Sequence, residues 1–386
     1  MTHPYPDPIM QKTYNVTSGT ILVFPGGMPK SLEFLQQCVT DGKTVLGASS
    51  LAHDPTRQQY PAWAHLPYVT DAGFDAALQA LVASHGIRGI YTPNPVIWDH
   101  LHRTLQALAP GVALLNTSPA DAELAAYRKA QAQVDAWLHQ PLAIGVGQPV
   151  RPGASRLQLA ALFRHAELIP GMCDREKMFA LGEIARHAVD GDIVEIGSWW
   201  GKSAFLLAWL ARCYGIGKLL CVDPWSNAHL VQHDATGLVD QVSAQFDANE
   251  ALTVFEMNLL PYSHDHVNYL RLPSELGAQH YRQRREVHTE AFGSTRYQGR
   301  IALLHIDGNH TYAAASADLA CWSGLVNAGG WIVVDDYIWP YGNGPQRAGD
   351  EFIARHQGRI ATAFVMGSAL FIQLSHCLEE QHATQD

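Results

Sequence analysis

The chain has 386 residues, 47% of them hydrophobic and 16% charged, with a formal net charge of −10. That length exceeds one ordinary core and predicts two globular domains. The acidic balance argues against nucleic acid as the main partner, because phosphate binding needs a basic surface, and it favours a small organic substrate. No apolar run approaches the roughly 20 residues needed to span a bilayer. The opening Met1-Thr2-His3-Pro4-Tyr5-Pro6 has neither the basic nor the apolar region of a signal peptide. The six cysteines (Cys38, Cys173, Cys213, Cys221, Cys321, Cys377) form no Cys-x-x-Cys pair, so reduced thiols and a cytoplasmic protein are expected.

From Thr20 the pattern alternates between strand and helix. Ile21–Phe24 reads as a strand, Pro25-Gly26-Gly27 as a turn, Ser31 to Val39 as a helix capped by Ser31, and Thr44–Ala48 as the next strand. A helix over Phe74–His85 and strands at Gly89–Thr92 and Val112–Asn116 follow. This predicts a small doubly wound, Rossmann-like α/β domain over residues 1–139. The Pro25-Gly26-Gly27 turn is of a kind that can cradle a phosphate, although such turns are common without any ligand. A role in substrate recognition or subunit assembly is expected. Ala120 to Leu138 predicts a connecting helix with Leu124, Tyr127, Val134 and Leu138 on its apolar stripe. Residues 140–167, rich in Pro and Gly at their start, read as a linker.

The second domain, residues 168–386, opens with a helix bearing Met178, Phe179, Leu181, Ile184, Ala185 and Ala188 on one face. Asp192–Ile196 then forms a strand, Gly197-Ser198-Trp199-Trp200-Gly201 a turn, and an apolar helix starts near Ser203. Lys218–Asp223 is the next strand. An acid closing the second strand is suited to ribose hydroxyls, while a glycine-bearing first turn lets a ligand approach backbone. The spacing lacks the G-x-G-x-x-G of dinucleotide sites, which suits a cofactor without a pyrophosphate. Ser226–His266 (with His229, His233, Asp234, His264 and Asp265) reads as a lid, Gln279–Arg300 with its five arginines as a solvated helix face, and Trp339–Arg347 as a roof.

Two later runs carry the chemistry. Leu303-Leu304-His305-Ile306-Asp307-Gly308-Asn309-His310 and Trp331-Ile332-Val333-Val334-Asp335-Asp336 are apolar strands that end in acids. Strand-end acids often cap helices. Three carboxylates at neighbouring strand ends repel one another, however, and point to a divalent cation; an oxygen-only set (Asp307, Asp335, Asp336) selects Mg²⁺. His310, near neutral pKa, is suited to act as a general base. His305 is expected on the opposite face of its strand in a structural role. Asn309, Tyr312 and Tyr337 are candidates for lining the site.

Glu195–Gly201 with Asp223 at the next strand end resembles the first two motifs of class I S-adenosylmethionine-dependent methyltransferases. Asp223-Pro224-Trp225, His305–Tyr312 and Val333–Tyr337 are similar to the branch that holds the macrolide-sugar O-methyltransferases and the protein called cephalosporin hydroxylase. The likeness covers roughly residues 168–375. It implies a cofactor site of Glu195, Gly197, Ser198, Gly201, Ser203, Asp223, Ser274 and Asp307, with Gly197 leaving room for the cofactor, Asp223 on the ribose and Ser274 near adenine. It also implies that His310, three residues beyond the first metal acid, is the catalytic base. The expected activity is Mg²⁺-dependent O-methylation of a sugar or natural-product hydroxyl by a homo-oligomer. A metal-independent enzyme of the same fold, an NAD-dependent oxidoreductase and a non-catalytic binding protein are the alternatives.

Overall fold

The computed structural model describes residues 19–139, 142, 144, 151–232 and 236–378. Most of the Pro- and Gly-rich start of the expected linker, together with His233 and Asp234, lies outside them. The chain divides into two compact units at Arg128/Lys129.

In the first unit β1 (Thr20–Val23), α1 (Pro29–Thr40), β2 (Val45–Ser49), β3 (Trp63–His65), α2 (Phe74–His85), β4 (Ile87–Tyr91), α3 (Pro95–Leu108) and β5 (Ala113–Leu114) alternate. They build a five-stranded parallel sheet in the order β3-β2-β1-β4-β5. Helix α1 starts at Pro29, whose fixed φ and missing N–H suit the first helical turn. Ser31 is therefore not the cap; it is buried inside the helix and donates to the Pro25 carbonyl at 2.6 Å. An oxygen of Asp54 would lie 2.9 Å from a Cβ on Gly27, so a fixed carboxylate stands beside the turn that was a candidate phosphate cradle. A phosphate there would meet like charge.

The second element series is α4 (Pro119–Leu138), α5 (Arg156–Ala166), α6 (Arg175–His187), β6 (Asp192–Ile196), α7 (Lys202–Tyr214), β7 (Leu219–Val222), α8 (Leu238–Ser243), α9 (Ala248–Leu259), β8 (Val267–Leu270) and α10 (Ser274–Gln283). It continues with β9 (Glu286–Thr289), β10 (Gly293–Arg296), β11 (Ile301–Ile306), α11 (Tyr312–Trp322), β12 (Val326–Val334), α12 (Gly344–His356), β13 (Ile360–Met366) and β14 (Ala369–Leu374). The main sheet runs β13-β14-β12-β11-β6-β7-β8, parallel except for β14, which is antiparallel to both its neighbours. Strand order reverses between β6 and β11, and open α/β sheets bind ligands at the carboxyl edge of such a point.

Three expectations are corrected. The segment read as linker contains α5, whose Ser155 and Gln158 form a reciprocal capping box. The arginine-bearing stretch after α10 is a β9–β10 hairpin, not a helix face. In α4 the inward side chains are Ala130, Val134 and Trp137, while Leu124, Tyr127 and Leu138 are exposed. Trp137 packs edge-on against Phe163 and Phe179, and Gly182 supplies the space its ring needs.

Side chains alternate across the sheet although both faces are covered. Ile193, Leu219, Cys221, Leu303, Trp331 and Val333 face α4–α7 and α9. Val194, Leu220, Leu304, Ile306, Ile332 and Val334 face α10–α12. By the same period of two, Glu195, His305, Asp307 and Asp335 belong to the first face.

Candidate active site

The turn after β6 is closed by the acid that ends β7. Asp223 Oδ2 accepts the Ser198 and Trp199 amides at 2.9 and 3.0 Å, and Oδ1 accepts the Trp225 amide at 2.7 Å. Burial raises its pKa and these three donors oppose the rise without cancelling it. A carboxylate has about four lone-pair sites, so one is left for a ligand hydroxyl. Glu195, with no exposed surface, accepts the Ser198 hydroxyl at 2.5 Å and faces His305 Nδ1 at 3.1 Å. It holds the turn from below.

Gly197 has φ +79, and a Cβ there would overlap the carbonyl oxygen of Asp307. The space expected for a ligand is thus taken by the neighbouring strand end, which only glycine lets approach. Gly201 (φ +87) packs on Phe255 and Leu259 of α9, and Ser203 is buried in the first turn of α7. Lys202 donates to the Gly171 carbonyl at 3.1 Å. The Ser274 hydroxyl is engaged by Trp322 Nε1 at 3.0 Å. Trp199 and Trp200 pack with Phe246, at centroid distances of 5.9 and 5.3 Å. The edge still suits a nucleoside: a topological switch point, a backbone turn and a buried acid with one lone-pair site to spare.

The three acids do not gather as one set. Asp335 is 3% exposed, and the ammonium of Lys177 from α6 donates to its Oδ2. Its Oδ1 accepts the Asp336 amide at 2.9 Å and the Ser368 hydroxyl at 3.2 Å. Asp336, with φ +50, turns away and its Oδ2 lies 2.9 Å from His310 Nε2, while Asp307 Oδ1 is 4.0 Å from that nitrogen. Two triads share Asp307: His305–Asp307–Asp335 and Asp307–His310–Asp336. The expected three-carboxylate Mg²⁺ site therefore does not fit, because both oxygens of Asp335 are engaged and Lys177 supplies the positive charge beside it.

Burial works against ionisation of Asp335, but Lys177 and His305 outweigh it and hold the carboxyl well below its usual range. Burial and the Asp335 charge raise Asp307 to about 7. For His310, burial favours the neutral ring, yet bonds to Asp307 and Asp336 prevail and raise it to about 9. The same contest, with Asp335 and Glu195 as partners, raises His305 to about 9.

His305 is not on the opposite face from Asp307. Two residues apart on one strand, they share a face, which places His305 between Glu195 and Asp335 (3.6 Å to Oδ2). Lys177, Asp174 and Ser368 went unnoticed in the sequence. The signal for Lys177 was present: it falls at helical spacing with Leu181, Ile184 and Ala188 on the apolar face of α6. Asp174 caps α6 through the Lys177 amide and also accepts the Ser368 amide and hydroxyl.

Around His310, the ring of Trp339 stands edge-on at 4.7 Å, as a roof would, whereas Arg347 lies over Tyr312 instead. Tyr312 and Tyr337 donate to Glu351 and Asp350 of α12 and so pack rather than line the site. The segment after β7 reaches the base loop: Gln232 Oε1 accepts the His310 amide at 2.7 Å, and Asn309 donates to the Val231 carbonyl at 2.7 Å.

Residues 194–337 match a family model described as a methyltransferase domain. Among solved structures, the O-methyltransferase NovP aligns at 17% identity over 51% of this chain and 80% of its own, with a TM-score of 0.39. A calicheamicin methyltransferase, CalS11, aligns at 12% identity over 67% and 94%, with a TM-score of 0.40. MycE from the mycinamycin pathway, solved with Mg and SAH, aligns at 16% over 51% and 48%, with a TM-score of 0.29. No helix among the described residues is long and apolar enough to cross a membrane.

Proposed function

We propose that this chain, whose residues 194–337 form a class I S-adenosylmethionine-dependent methyltransferase domain, methylates a hydroxyl oxygen of a sugar or other natural-product small molecule with His310 as general base. The cofactor, when bound, supplies a methyl group on a sulfonium. Asp223 would take a ribose hydroxyl with its remaining lone-pair site, and the Gly197–Gly201 turn, braced by Glu195, would hold the cofactor's amino-acid end.

The observation that carries the reading is the orientation of His310. Its Nε2 points at Asp336, while Nδ1 is buried and has no hydrogen-bond partner among the described residues. A carboxylate on Nε2–H fixes the tautomer in which Nδ1 presents its lone pair. As the acceptor oxygen attacks the methyl carbon and the carbon–sulfur bond breaks, Nδ1 receives the hydroxyl proton. Asp336 and Asp307 stabilise the imidazolium that results. Trp339 shields the ring from water, and the Val231–Gln232 segment holds the base loop in place. Mg²⁺ has no part in this reading, because Asp335 is committed to Lys177.

Methyl-labelled S-adenosylmethionine offered with a panel of glycosides and hydroxylated small molecules tests it. Label recovered as a methyl ether, and lost in His310→Gln, supports the reading; label recovered only on nitrogen or carbon overturns the hydroxyl assignment.

A further inference from the structure

We infer that the Lys177 ammonium is the resident cation of the strand-end acid cluster, standing where a divalent metal ion would otherwise be needed. Lys177 is 2% exposed and ranks among the largest fully buried side chains. A lysine in that position needs an anion, and its ammonium has one in Asp335. The stem is fixed from both ends of the sequence. Asp174 caps α6 through the Lys177 amide at 2.7 Å and grips Ser368 in the β13–β14 turn. Gly367 makes that grip possible, since a Cβ there would overlap the Asp174 carboxylate. Ser368 is also within 3.2 Å of Asp335 Oδ1.

The ammonium begins a polar chain that crosses the sheet. Asp335 on β12 faces His305 on β11, His305 faces Glu195 on β6, and Glu195 accepts the Ser198 hydroxyl of the turn. Neighbouring registers place these side chains abreast: His305 pairs with Glu195 and with Val333, two residues before Asp335. Lys177 thus orients the strand ends and, through them, the turn. A hard divalent ion requires several oxygens at about 2.0–2.1 Å in an octahedron, and a fixed ammonium on Asp335 removes one of the three expected ligands.

This deepens the proposed function, but it is read without turnover. Mn²⁺ alone, followed by electron paramagnetic resonance and calorimetry, is titrated into wild type, Lys177→Gln, Lys177→Arg and Asp336→Asn. Wild type and Lys177→Arg are expected to show no saturable site that Asp336→Asn abolishes. Lys177→Gln, with Asp335 released, is expected to bind Mn²⁺ at least about tenfold more tightly than wild type. A wild-type site abolished by Asp336→Asn overturns the inference, as does a folded Lys177→Gln that gains nothing. If Lys177→Gln does not fold, the wild-type and Asp336→Asn titrations decide it. S-adenosylhomocysteine binding in the same wild-type sample separates the two claims: its absence counts against the methyltransferase reading and leaves the Mn²⁺ result intact.

Discussion

His310 holds its Nε2 2.9 Å from Asp336 and leaves Nδ1 buried without a partner among the described residues, which is the geometry of a base waiting for a proton. His310→Gln is expected to lower turnover by roughly 10²–10⁴-fold, the usual range for a positioned acid or base. S-adenosylhomocysteine affinity should stay unchanged. Single-turnover kinetics alongside calorimetry checks both, and a loss confined to cofactor binding would show that His310 shapes the pocket instead.

Gly197→Ala should damage the fold at the junction of β6 and β11. The φ of +79 penalises any side chain, and the added carbon would overlap the Asp307 carbonyl. Strain plus overpacking is expected to cost at least about 2–3 kcal/mol. Urea unfolding measures it, with Gly215→Ala as the comparison: that site has similar φ (+62) but open space around it.

Removing one member of the Lys177–Asp335 pair should be worse than removing both. Lys177→Met strands a buried carboxylate and is expected to cost about 3–5 kcal/mol. Adding Asp335→Leu should restore much of that stability, because an apolar pair needs no counter-charge. A double variant as unstable as the single would show that packing, not charge, is what Lys177 supplies.

Asp318 gives stability a pH signature. Burial, opposed by a hydrogen bond from Ser274, raises its folded carboxyl to about 6. The folded state therefore holds this proton more tightly than the unfolded chain does. Its contribution is complete below about pH 4 and fades as pH climbs through 6, by an amount of order 2–3 kcal/mol. Asp318→Asn should gain on wild type steadily between pH 4.5 and 7 in denaturant midpoints. A constant difference across that range would contradict the assignment.

Both sheets were legible because αβ alternation and strand-end acids are local signals. The Asp192–Ile196 strand, the turn with Gly197 and Gly201, and the run into Asp307 all lie where periodicity placed them. Short elements were not legible: β3 has three residues, and the β9–β10 hairpin was hidden by arginines that suggested a solvated helix. The C-terminal β13–β14 pair likewise carried no motif to draw attention. The site was half legible for a physical reason. Crowded acids announce a counter-charge but not its identity, and the lysine that provides it lies 158 residues away in sequence. His305 was legible in principle, since a period of two puts it beside Asp307.

The central claim is a methyltransferase site built on the β6 turn and Asp223, and S-adenosylhomocysteine calorimetry tests it most directly. One site per chain is expected in wild type, unchanged in His310→Gln and weakened at least about tenfold in Asp223→Ala, which loses both the spare lone-pair site and the turn's amide acceptor. Absence of binding in folded wild type, or equal affinity in folded Asp223→Ala, would contradict it.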